Sequence, residues 1–129
     1  LERCRRAGQA CPALKVEGYV DDVQDFLAQI DLLVLTSSTE GVALTAMEAL
    51  QSGIPVVCTD VGGMGDLVKD GHNGLLVPGN RFEAMQSAVA SLVADSDLLE
   101  RLTQVAKAEG LPREFTEEAM IDAYARLLQ

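Results

Sequence analysis

Short apolar runs alternate with amphipathic segments along most of the chain. Four runs, each bounded by Gly, Pro, Asp or Ser, have the length and composition of buried strands, and they cover residues 14–20, 32–36, 54–59 and 74–77. Between these runs, and after the last one, apolar residues recur at helical spacing. Strands that read as continuous apolar runs and alternate with helices belong to parallel sheets that are covered on both faces. The pattern therefore predicts an α/β domain.

The order of the elements refines this prediction. Right-handed crossovers between successive strands give a Rossmann-like, doubly wound sheet with helices on both faces. The predicted helices follow Asp21, cover 44–50 and 65–69, and then follow Asn80, Asp95 or Ser96, and Thr116. Residues 107–113 are the only segment with the composition of a linker, and they lie close to the end of the chain. We therefore assign residues 1–129 to one domain.

Composition and charge narrow the classes of function. Of the 129 residues, 48% are apolar and only 4% aromatic, so aliphatic side chains and Met must form the core. The net charge of −10 disfavours nucleic acid and acidic lipid surfaces as partners. Three cysteines (Cys4, Cys11 and Cys58) lack metal-site spacing, and their odd number argues against a disulfide framework. The sequence shows neither a secretory signal nor an apolar segment long enough to span a membrane. We therefore expect a cytoplasmic protein, and leave open a peripheral attachment of the full-length protein to the membrane.

The most informative segment follows the second apolar run, at residues 37–48. In sheets of this kind ligands bind beyond the carboxyl ends of the strands. Gly41 and Ala43 are small enough for a ligand to approach the backbone, and the next helix directs free N–H groups toward the same place. Glu40 precedes this helix and Glu48 lies within it. Two carboxylates beside an anion site suit a nucleotide sugar, but these residues are equally consistent with a helix-start acid and a solvated helix residue.

The spacing of Glu40 and Glu48 resembles the E-x7-E motif of the family-4 retaining glycosyltransferases. Further segments similar to this family are found in order along the chain, at residues 18–23, 31–37, 48–57, 60–63 and 70–78. The resemblance implies the GT-B architecture, in which two Rossmann-like domains face each other and the second holds most of the nucleotide-sugar donor. It identifies this chain as an incomplete C-terminal domain.

The same resemblance implies roles for individual residues. Glu40 is the implied catalytic residue and hydrogen-bonds hydroxyls of the donor sugar, whereas Glu48 contacts the ribose. The implied contacts to the diphosphate come from the backbone of Gly41, Val42, Ala43, Leu44 and Thr45. Sugar transfer to a sugar or lipid-linked acceptor would retain the anomeric configuration, without a metal ion or other cofactor. The family usually has an aromatic residue and a Gly where this chain has Val42 and Ala43, so the φ of Ala43 must be either negative or strained.

The distribution of charge predicts a missing cation. Residues 16–68 contain nine acidic residues and no Lys or Arg. A diphosphate held there by a helix terminus alone would bind poorly, so positive charge must come from elsewhere. By resemblance it comes from an Arg and a Lys that would precede residue 1.

The resemblance also assigns the four apolar runs to strands three to six of a six-stranded sheet in the order 3-2-1-4-5-6. We therefore expect a chain that is truncated at its N-terminal side and inactive alone. Its unpaired strand edge should lead to dimerisation.

Two other classes of function fit the same alternating pattern. One is a GT-B relative such as a nucleotide-sugar epimerase or a phosphorylase, and the other is a non-catalytic α/β interaction module such as a receiver domain. His72 lies in a segment with the composition of a turn, and we do not assign it a catalytic role. Asp60, Gly62 and Gly63 follow a strand and rank below Glu40 and Glu48 as candidate donor contacts.

Overall fold

The computed structural model describes residues 11, 13–79 and 81–128. Within this range three strands form one parallel sheet in the order β1-β2-β3. They are β1 (Leu33–Leu35), β2 (Val56–Asp60) and β3 (Gly74–Pro78). Leu33 is the partner of Val56, which in turn is the partner of Gly74, so all three strands end at one carboxyl edge.

Helices cover both faces of the sheet. They are α1 (Val23–Leu27), α2 (Leu44–Gln51), α3 (Met64–Leu67), α4 (Phe82–Ala94), α5 (Ser96–Glu109) and α6 (Glu117–Leu127), with a 3-10 turn at Arg113–Phe115. Residues of α1, α2 and α3 pack with Val56 and Cys58 on one face. Residues of α4 and α5 pack with Val57 and Val77 on the other face. The predicted Rossmann-like arrangement is therefore confirmed for these three strands.

Side-chain caps fix the start of three helices. The carboxylate of Asp22, one residue later than predicted, accepts a hydrogen bond from the Asp25 amide. Asp95 caps α5 and Thr116 caps α6 in the same way, as the sequence predicts. These local signals were readable because the cap and its helix are adjacent in sequence.

The strand predicted at residues 14–20 is wrong. This segment has no strand conformation, and Gly18 within it has a φ of 77°. Leu14 is 45% exposed and Tyr19 is 89% exposed, so the apolar run is not buried. A strand requires a neighbour for its backbone hydrogen bonds, and no described strand pairs with this segment.

The apolar surface around β1 predicts self-association. Among the described strands β1 pairs only with β2, so its other edge is free. Val34 on the α4 face is 37% exposed, and Phe82 and Val93 of α4 are 77% and 79% exposed. A free strand edge next to an apolar face recruits a partner. We expect a dimer at tens of micromolar, measured by light scattering.

A charged variant provides the control for this prediction. Val34→Lys places a charge on the exposed face of β1 and should shift the chain toward the monomer. A wild-type monomer at the same concentration would contradict the predicted dimer.

Candidate functional site

The loop after β1 and the turn after β2 lie against each other at the carboxyl edge of the sheet. The Gly63 amide donates a hydrogen bond of 2.6 Å to the Gly41 carbonyl. A Cβ atom on Gly62 would lie 1.7 Å from the carbonyl oxygen of Glu40, and Gly62 has a φ of 56°. Only glycine avoids both the overlap and the strain of this backbone conformation. Gly62 and Gly63 thus position the Glu40 loop, a role that the sequence did not reveal.

The Glu40 side chain is held in place by its own loop. It is half-buried, and the Ser37 hydroxyl donates a hydrogen bond of 2.8 Å to Oε1 of its carboxylate. The Ser37 carbonyl in turn accepts a hydrogen bond from the hydroxyl of Thr59 in β2. Oε2 of Glu40 has no hydrogen bond to a described residue, so this oxygen is available as an acceptor.

The backbone after Glu40 leads directly into α2. Ala43 is the N-cap residue, with a φ of −73° and no side-chain hydrogen bond to the helix. Of the two alternatives for Ala43, the structure has the negative φ, which carries no backbone strain. Leu44 is 73% exposed and Thr45 is also exposed, and their amides have no hydrogen-bond partner among the described residues. These two N–H groups lie at the positive end of the helix dipole.

Glu48 lies one turn further along α2 and is half-buried. Residues four apart share a helix face, so Glu48 follows Leu44 on one side of α2. The opposite side carries Ala46, Ala49 and Leu50, which are fully buried in the core. The Glu40 loop thus leads directly into the start of α2, and Glu48 lies one turn further along that helix.

Two other titratable residues, His72 and Cys58, do not contribute to the site formed by the Glu40 loop and α2. His72 occupies the turn before β3, at the amino edge of the sheet, and its Nε2 lies 2.9 Å from the Glu109 carboxylate. The interpretation of His72 as a turn residue is confirmed. Burial of Cys58, and then the charge of Asp60, raise the pKa of the Cys58 thiol to about 11. The thiol therefore stays protonated at neutral pH and is a poor nucleophile.

Two negative findings apply to the described residues alone. They contain no group of three or more His, Cys, Asp or Glu residues that could hold a metal ion. No helix in the same part of the chain is long and apolar enough to cross a membrane.

Comparison with known proteins gives a family match over most of the chain. The model of the family described as group 1 glycosyl transferases matches residues 1–95. The chain is 36% identical over 115 residues to the lipopolysaccharide core biosynthesis glycosyltransferase LpsE of Rhizobium meliloti (strain 1021). That alignment covers 89% of this chain but 34% of the relative, so the chain spans about a third of the length of this curated protein.

Solved structures share the fold. Alr3699/HepE of Anabaena in complex with UDP superposes with a TM-score of 0.82 at 24% identity, covering 98% of this chain and 35% of that one. The C-terminal domain of a group 1 family glycosyl transferase (LpcC) from Francisella tularensis superposes with a TM-score of 0.68 at 25% identity. That superposition covers 81% of this chain and 56% of the other.

Proposed function

The chain belongs to the group 1 glycosyl transferases, and on that premise we propose that it is part of the C-terminal, donor-binding domain of a retaining glycosyltransferase. The observation that carries the proposal is an oriented carboxylate, on Glu40, in the short loop that leads into the amides of Leu44 and Thr45, which have no hydrogen-bond partner among the described residues. A nucleotide sugar presents hydroxyls next to a diphosphate, so it needs acceptors and anion-binding donors side by side.

Glu40 would bind the sugar of the donor. Its carboxylate accepts one hydrogen bond from Ser37, which fixes the rotamer and leaves Oε2 for a sugar hydroxyl. Hydrogen bonds to a charged acceptor are stronger than neutral ones. A fixed carboxylate also stabilises positive charge that develops on the sugar as the bond to the diphosphate breaks. Both effects would favour the transition state.

The start of α2 would bind the diphosphate. The amides of Leu44 and Thr45 are fixed by the helix, so they need no reorganisation when negative charge grows on the leaving diphosphate. Ala43 has an ordinary extended backbone conformation. Its methyl group therefore adds no backbone strain to the loop that a phosphate would approach. Glu48, one turn further, would hydrogen-bond the ribose. The proposal requires no metal ion.

We expect the 129-residue chain to bind nucleotide sugars with dissociation constants of about 1 mM or weaker. The reason is electrostatic, because residues 16–68, which contain the proposed diphosphate site, carry nine acidic residues and no Lys or Arg. Isothermal titration calorimetry with uridine, guanosine and adenosine diphosphate sugars measures this affinity. Micromolar binding to any of them would contradict the expected weakness.

Retention of configuration is tested on the longer polypeptide that contains this domain. Proton NMR of the glycoside product distinguishes the two anomers, because the new glycosidic bond does not mutarotate. A product with the anomeric configuration of the donor supports the proposal. An inverted product would exclude it, and epimerised sugar formed without acceptor would indicate the epimerase class.

A further inference from the structure

A cavity lies at the carboxyl edge of the sheet, on the α4 face. Its volume is about 310 Å³. Its polar lining consists of Thr36, Ser37, Ser38, Thr59 and Arg81, and its apolar lining of Phe82 and Met85. Val34 and Val57 are paired in the register of β1 and β2, so Thr36 and Thr59, two residues further along, share the same face. The helix α2, which begins at the proposed donor site, packs on the opposite face, and the Glu40 loop lies at the edge between the two.

The hydroxyl groups in this cavity differ in their availability. The Thr59 hydroxyl donates to the Ser37 carbonyl, and the Ser37 hydroxyl donates to Glu40. The hydroxyls of Thr36 and Ser38 form no hydrogen bond with described residues, and both residues are exposed. Two hydroxyl donors are therefore free at the mouth of the cavity, directly beyond the end of β1.

Arg81 gives the cavity its charge. It is exposed and forms no ion pair with a described residue. No Asp or Glu lines the cavity. Acids on the adjoining elements are Glu40, whose carboxylate is hydrogen-bonded to Ser37, Asp60, which follows Thr59 at the end of β2, and Glu83 in the first turn of α4. In a chain of net charge −10, this is a cation-lined cavity without a carboxylate in its wall.

We propose that this cavity binds a phosphate group, with the Arg81 guanidinium as its charge partner and the Thr36 and Ser38 hydroxyls as further donors. A guanidinium matches the geometry of phosphate oxygens with two parallel hydrogen bonds, and neutral hydroxyls complete the tetrahedral anion. Arg81 thereby supplies positive charge that residues 16–68 lack.

The source of the phosphate depends on the proposed function. Ser37 connects the cavity to the Glu40 loop, since its carbonyl is bonded to Thr59 and its hydroxyl to Glu40. A ligand in the cavity therefore lies beside the proposed donor sugar site. Within a glycosyltransferase, the phosphate belongs either to the diphosphate of the donor or to a phosphorylated acceptor.

Amide NMR on the isotope-labelled 129-residue chain tests the inference with inorganic phosphate and pyrophosphate as probes. We expect shifts at Ser38, Thr59 and Arg81, and about tenfold weaker binding in Arg81→Gln, because a charge-assisted pair is lost. Arg101→Gln is the matched control, since Arg101 is exposed on α5 and does not line the cavity. Absence of these shifts, or equal binding by Arg81→Gln and wild type, would overturn the inference.

Two further probes distinguish the sources. UDP that shifts the cavity residues together with residues 41–45 identifies the donor diphosphate. Glucose 6-phosphate, whose phosphate is not on the anomeric carbon as it is in the donor, identifies a phosphorylated acceptor if it shifts the cavity more strongly than UDP. A response of residues 41–45 to UDP without any response in the cavity contradicts the inference alone. A cavity response to pyrophosphate without any response of residues 41–45 to UDP supports the inference and counts against the proposed donor site.

Discussion

Replacing Gly62 with Ala should lower the free energy of unfolding by about 3 kcal/mol and displace the Glu40 loop. The left-handed backbone at Gly62 costs an L-residue about 1–2 kcal/mol. The added methyl would also overlap the carbonyl oxygen of Glu40, and relief of such overlap costs about 1–3 kcal/mol. Urea unfolding followed by circular dichroism measures the sum.

Gly71→Ala separates the two contributions. Gly71 has a φ of 72°, but a Cβ atom there would meet nothing within 4 Å. This variant should lose only the backbone contribution of about 1–2 kcal/mol. If both variants lose the same amount, the contact between the Gly62 turn and the Glu40 loop contributes nothing.

Replacing Glu40 with Gln should lower kcat/KM for sugar transfer about 100-fold in the longer polypeptide that contains this domain. The substitution keeps the size and the hydrogen bond to Ser37 but removes the charge that would face the reacting sugar. Loss of a charged hydrogen bond costs about 1.5–3 kcal/mol, and an interaction made in the transition state is lost in full from the rate. Steady-state kinetics with saturating acceptor measures the change.

The control for Glu40→Gln is Glu100→Gln. Glu100 is exposed on α5 and accepts a hydrogen bond from Gln104, so it carries the same charge at a distance from the carboxyl edge. It should leave kcat/KM unchanged, and both variants should unfold at the wild-type urea midpoint. Unchanged kinetics in Glu40→Gln would remove Glu40 from the site.

The parts of the site that are contiguous in sequence could be predicted from it. Glu40 and the start of α2 follow one strand within a few residues, so the strand-to-helix transition places them together. The backbone of Ala43 likewise follows from its position as the residue before the helix. Local order determines all three features, and no distant contact is needed to recognise them.

The features that depend on tertiary contacts could not be predicted from the sequence. Whether residues 14–20 form a strand depends on a neighbouring strand, and apolar composition does not supply one. The close approach of Gly62 to Glu40 arises because two parallel strands end at the same edge, which a Gly-Gly pair alone does not reveal. Arg81 and Thr36 likewise line one cavity only because of the register of three strands and the position of α4.

The most direct test of the donor-site assignment is a crystal structure of the 129-residue chain, determined after its crystals are soaked in nucleotide sugar at concentrations above the expected dissociation constant. We predict density for the sugar within hydrogen-bond distance of Glu40, and for the diphosphate at the amides of Leu44 and Thr45. A donor that binds elsewhere on the chain, with Glu40 and the start of α2 unoccupied, would contradict the assignment of this edge as the donor site.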